Sequence, residues 1–139
     1  IFVLTNRTYA GPSVPALKAA LALVASGDFP ERAVPVSAAV AKGYDLARSI
    51  WAAGSVSGVQ SGLAMNFLMD EDAAHWARDL AGYKAQVGAC AMTEAPQPKS
   101  AMAANFNWTC EHGRVSGSLL LAPTRDVALQ SLSFEVLTP

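Results

Sequence analysis

The sequence is short of the features that assign a function most directly. No uninterrupted apolar run approaches the roughly 20 residues needed to cross a bilayer, because Lys18, Asp28, Arg48, Asp70 and Arg78 keep interrupting. No membrane span is therefore expected. Neither sign of charge dominates, with Lys+Arg 10 against Asp+Glu 11 and a formal net charge of -1. Without a basic field to hold a phosphate backbone, nucleic acid is not an expected partner. Histidine and cysteine are scarce, at two residues each. What the chain has is apolar content: 139 residues, 52% hydrophobic and 15% charged, enough to bury a core within one ordinary domain. It begins at Ile1, and Ile1 to Leu4 lacks the basic head of a signal peptide, so it reads as a piece of a longer polypeptide.

Periodicity divides the chain. Ile1-Phe-Val-Leu-Thr5 is β-branched and apolar on both faces, as in a strand covered on both sides. Ser13 is placed as an N-cap before Val14-Pro15, a helix body runs over 16–26, and Gly27 ends it. Pro30 and Pro35 mark residues 28–36 as a linker. Ser37 caps a helix to about Ala53, with Val40, Tyr44, Ala47, Ile50 and Trp51 on one stripe and Gly54 after its end. A shorter helix is expected from Ser55 or Ser57 through Leu68. Asp70 is expected to cap another, with Glu71 and Asp72 in its first turn, Trp76, Leu80, Tyr83 and Val87 inward, and Gly88 at its end.

After Gly88 the period changes from helical to two, and a sheet is expected. A short strand over 89–93 precedes a loop containing Pro96 and Pro98. Met102, Ala104, Phe106, Trp108 and Cys110 then alternate with polar or small neighbours as one half-buried strand. His112-Gly113 is placed as the next turn, a register that sets Phe106 opposite Leu119 and Trp108 opposite Gly117. The last strand is expected over 127–137, with Leu132, Phe134 and Val136 on one face. Helices first and an antiparallel meander after them define an α+β fold, with helices packed on one face of a curved sheet.

The chemistry on offer is thin. No serine has a lysine three residues later, and neither Y-x-N, K-T-G nor a G-x-S-x-G elbow occurs. Gly54, Gly58 and Gly62 do not match a phosphate loop. A triad would have to use His75 or His112, one beside Trp76 on a helix flank and the other at a hairpin tip, where solvated roles suffice. Cys110-Glu111-His112 offers ligand-type residues, but neighbours in a strand point to opposite faces, so no metal and no cofactor are called for. Cys90 and Cys110 fall in strands of the same sheet and read equally as a disulfide or as two buried thiols. A short-looped hairpin would set Cys90 near Ala104, so a bridge needs a longer loop or a shifted register. Tyr44, Trp51, Trp76, Tyr83, Phe106, Trp108 and Phe134 all point inward; they are core or, if the sheet curves into a cone, the lining of a cavity for a small apolar ligand. A carboxylate in such a cavity, from Asp70, Asp72 or Asp79, would suit an isomerase or dehydratase, although capping and solvation account for all three.

Residues 1–12, IFVLTNRTYAGP, resemble the final core strand and exit turn of serine hydrolases related to class C β-lactamases, D-aminopeptidases and penicillin-binding esterases, and 13–26 matches the helix that follows. None of that family's catalytic motifs lies in this stretch. Residues 64–69 (AMNFLM), 88–90 (GAC) and 113–123 (GRVSGSLLLAP) are similar to an accessory domain that some of these hydrolases carry, a nuclear-transport-factor-2-like or cystatin-like cone. The resemblance implies a hydrolase remnant over 1–27, a linker over 28–36 and a cone-type domain over 37–139. It implies a non-catalytic piece of a serine hydrolase in the periplasm or outside the cell. Its partners would be the parent catalytic domain, a small ligand, or a second copy docked on the face of Asn105, Asn107, Thr109 and Ser118.

Overall fold

The computed structural model describes residues 13–27, 33–69 and 71–138. The chain divides into two compact units, Ile1–Ala33 and Val34–Pro139. In the first, the described element is helix α1, Ser13–Ser26, with Gly27 in a left-handed conformation after it. The expected strand over Ile1–Thr5 lies outside the described residues.

The second unit is α+β, with two α-helices packed on one face of an open, five-stranded antiparallel sheet. Helix α2 (Ala38–Ala53) begins where Ser37 Oγ accepts a hydrogen bond from the Val40 N–H at 3.0 Å, and it ends at Gly54, φ 64°. Its buried stripe is Val40, Gly43, Tyr44, Ala47, Ile50 and Trp51. The expected third helix is instead a 3-10 helix over Ser57–Gly62, kinked at Val59. Gly58 and Gly62 deprive it of the propensity for full α-helical turns. Helix α3 (Ala73–Val87) is capped by Asp72, whose carboxylate accepts from the His75 N–H at 2.8 Å. The expected cap, Asp70, lies outside the described residues, and Asp72 stands before the helix, not inside its first turn.

The strands are β1 (Cys90–Ala91), β2 (Gln97–Ser100), β3 (Ala103–Cys110), β4 (Gly113–Leu121) and β5 (Leu129–Leu137). β3, β4 and β5 form the expected meander, and β1 and β2 share the outer edge of β3. The segment with Pro96 and Pro98 is therefore a strand in part, not a loop. Pro98 stands opposite Ala104 on a sheet edge, the position where a missing N–H is tolerated.

The hairpin register differs from the expected one. The turn is Glu111-His112, Cys110 pairs with Gly113, and so Phe106 faces Gly117 while Trp108 faces Val115. A Cβ at Gly117 would run into the Phe106 ring, and the ring occupies that space. Gly113 serves a different end from a turn apex: its φ is 140°, and a Cβ there would strike the Leu137 carbonyl. The core joins the inner sheet face (Ala104, Phe106, Trp108, Val115, Leu119, Leu132, Phe134) to the stripes of α2 and α3, and every residue in it belongs to the second unit. The outer face is polar and short-chained, with Asn105, Ser118 and Ser133 side by side and the two serine hydroxyls 2.8 Å apart.

Candidate functional site

The aromatic residues singled out by periodicity separate into two groups. Tyr44, Trp51, Phe106 and Trp108 are buried against one another, with ring centroids 4.7 Å apart for Phe106–Trp108 and 5.5 Å for Trp51–Trp108 and Tyr44–Phe106. They fill the concave side of the sheet as core. The polar ends inside this cluster satisfy each other: the Trp108 indole donates to Tyr44 Oη at 2.8 Å, and Tyr44 Oη donates to the Glu94 carbonyl, also at 2.8 Å. No charged or polar residue is buried among the described residues, so none of the described carboxylates enters this interior.

Trp76 and Tyr83 belong to the other group, and Phe134 links the two. Phe134 lies 5.2 Å from Trp51 and 6.4 Å from Trp76, centroid to centroid. Trp76 also stacks on Phe67 at 5.3 Å, which gives the turn segment after the 3-10 helix its anchor. Between α3 and β5 runs a groove with two lobes. The larger, about 340 Å³, lies among Asn66, Phe67, Glu71, Trp76, Gln130 and Leu132. The smaller, about 150 Å³, lies among Glu71, Trp76, Asp79, Tyr83 and Phe134. Trp76, Asp79 and Tyr83 face it because residues three and seven apart share one helix face. The Trp76 Nε1–H is buried without an acceptor.

Titratable side chains gather on the solvent side of this groove. Glu71, His75 and Asp79 bring one potential ligand atom each within 4.8 Å of the others. His75 Nε2 is 3.8 Å from the Asp79 carboxylate, and Arg78 lies against His75 Nδ1 at 3.1 Å. Glu71 and His75 are exposed, and Asp79 is half-buried. The hydrogen bond from the His75 backbone N–H holds the Asp72 carboxyl below the usual aspartate range, opposed by desolvation and further supported by the Ala74 N–H and the charges of Arg78 and His75. His112 sits at the exposed hairpin tip, its backbone N–H bound to the Val87 carbonyl. No hydroxyl among the described residues is hydrogen-bonded to either imidazole.

Cys90 and Cys110 are joined in a disulfide and stand directly opposite each other in β1 and β3. The hairpin that was expected to set Cys90 near Ala104 turns later, at 101–102, and two extra residues in 92–96 relative to β3 supply the shifted register. The Glu111 N–H bond to the Ala89 carbonyl makes 90 and 110 a pair without mutual backbone hydrogen bonds, the kind whose side chains approach most closely.

No protein-family model, no curated protein and no solved structure matches the chain.

Proposed function

We propose that the chain is the C-terminal portion of a β-lactamase-like serine hydrolase, and that Val34–Pro139 is its non-catalytic accessory domain of cone type. The observation that carries this reading is on α1. Val14, Leu17, Leu21 and Val24 recur at helical spacing, yet they are 60, 60, 60 and 69% exposed. A stripe of that kind normally faces a core. Its cover, in this reading, is the body of the parent hydrolase. The aromatic filling of the sheet's inner face, with no described carboxylate or imidazole buried there, favours a binding or packing role over isomerase chemistry, which needs a carboxylate in a cavity. The Cys90–Cys110 disulfide agrees with a periplasmic or secreted location.

The test is turnover. The 139-residue chain and the longer polypeptide that carries its upstream sequence are assayed on a chromogenic β-lactam, a p-nitrophenyl ester and a D-amino-acid p-nitroanilide. Turnover by the longer polypeptide alone supports the proposal. Turnover by the short chain, or by neither, counts against it.

A further inference from the structure

The two edges of the sheet are protected very differently. On the β1–β2 edge, Pro96, Pro98, Lys99 and the two-residue excursion at 92–96 all obstruct the addition of another strand. The β5 edge has none of these. From Ser131 to Leu137 it contains no proline and no lysine, its one charge is Glu135, and the irregularity against β4 lies before it, between Leu120 and Leu121.

The hairpin sets which backbone groups this edge offers. Cys110 pairs with Gly113 across the tight turn, and the Glu111 N–H points the other way, to Ala89. Carried across β4 by the register, that alternation turns residues 131, 133, 135 and 137 toward β4 and leaves the N–H and C=O groups of Leu132, Phe134 and Val136 on the open side. Leu129 is already used, since its carbonyl accepts from Ala64 N–H at 2.8 Å. Among the described residues, no strand pairs with β5 beyond that point.

This open edge is one wall of the groove whose other wall is α3. The charged residues lining the two lobes are Glu71 and Asp79, both carboxylates, and no lysine or arginine lines either lobe. A second copy pairing through β5 would bring like carboxylates together, which opposes self-association there.

We propose that the groove between α3 and β5 binds an extended, cationic segment of another polypeptide, which adds as a strand to β5. Its backbone takes up the free groups of Leu132, Phe134 and Val136. Its alternate side chains point toward α3, with apolar ones against Trp76 and Tyr83 and a lysine or arginine between Glu71 and Asp79. The buried Trp76 Nε1–H, which has no acceptor, is the polar group in that wall best placed to report the occupant. The inference concerns this unit alone and does not depend on what precedes it in the polypeptide.

The probe is a capped seven-residue peptide, Thr-Val-Thr-Lys-Thr-Val-Thr, whose two valines and lysine share one face of a strand, with a version in which glutamate replaces lysine. Binding is followed by indole fluorescence and by amide exchange of the isotope-labelled full chain. The expected result is saturable binding of the lysine peptide with slowed exchange at Leu132, Phe134 and Val136 and little change at Ser131, Ser133 and Glu135. Affinity should fall at least tenfold for the glutamate peptide, and similarly for E71K/D79K. If that double variant does not fold, E71Q/D79N takes its place and should weaken binding in the same direction. Equal binding of both peptides, no binding, protection confined to the Asn105–Asn107 face, or protection that grows with protein concentration without peptide would each overturn the proposal.

Discussion

Tyr44→Phe removes one oxygen and leaves the ring, and the structure says what that oxygen does. It accepts from the Trp108 indole and donates to the Glu94 carbonyl, tying α2, β3 and the excursion between β1 and β2 to one point. Trp108 is fully buried, so its N–H has no route to water when the acceptor goes. An unsatisfied buried donor costs about 1–3 kcal/mol, and the lost bond to the half-solvated Glu94 carbonyl adds about 0.5–1 kcal/mol. The sum is about 1.5–4 kcal/mol, or a fall in Tm of about 6–16 °C for a unit of this size. Thermal and urea unfolding followed by circular dichroism measure it, with an unchanged urea slope as the sign that the fold persists. Trp108→Phe removes the donor instead, and the double variant should be less destabilised than the two singles combined by about 1 kcal/mol. A Tm change below about 2 °C for Tyr44→Phe, or strict additivity in the cycle, would refute the reasoning.

Reduction of the disulfide, or C90A/C110A, should lower stability by about 3 kcal/mol, the chain-entropy value for a crosslink across a sequence separation of 20; urea midpoints with and without reductant test this. Gly117→Ala should cost about 1–3 kcal/mol by driving the Phe106 ring off its position, whereas Gly58→Ala, where a Cβ meets nothing, should cost far less; both are read as urea midpoints. Because the folded pKa of Asp72 lies below its unfolded value, its contribution is present above the unfolded value and lost as pH falls through the folded one. Asp72→Ala should therefore lower the Tm at pH 7 and make little difference at pH 2, while an unchanged gap across that range would contradict the capping geometry.

Much of the inner architecture can be read from the chain because period and caps agree. Ser37, Gly54 and Gly88 bound their helices as their residue types suggest, and the alternation from Met102 to Cys110 does define the buried face of β3. The hairpin register cannot be read so simply. Gly113 looks like a turn residue, but it is glycine because β5 ends against it, a contact between segments far apart in sequence. Pro96 and Pro98 look like loop punctuation because a sequence does not say which strand is an edge. The α3–β5 groove is hidden for the same reason. The stripe of Trp76 and Tyr83 is visible at helical spacing, but only the strand order leaves β5 open beside it. The seven aromatic residues share one pattern in sequence and two fates in the fold, because Phe134 stands at the boundary between filled interior and groove.

The central claim, that this chain is the accessory end of a serine hydrolase, is tested most directly by reading the coding sequence upstream of Ile1. The account predicts a catalytic body there, with S-x-x-K followed by Y-x-N in the same frame. A frame that opens at or just before Ile1, or an upstream body without those motifs, would contradict it.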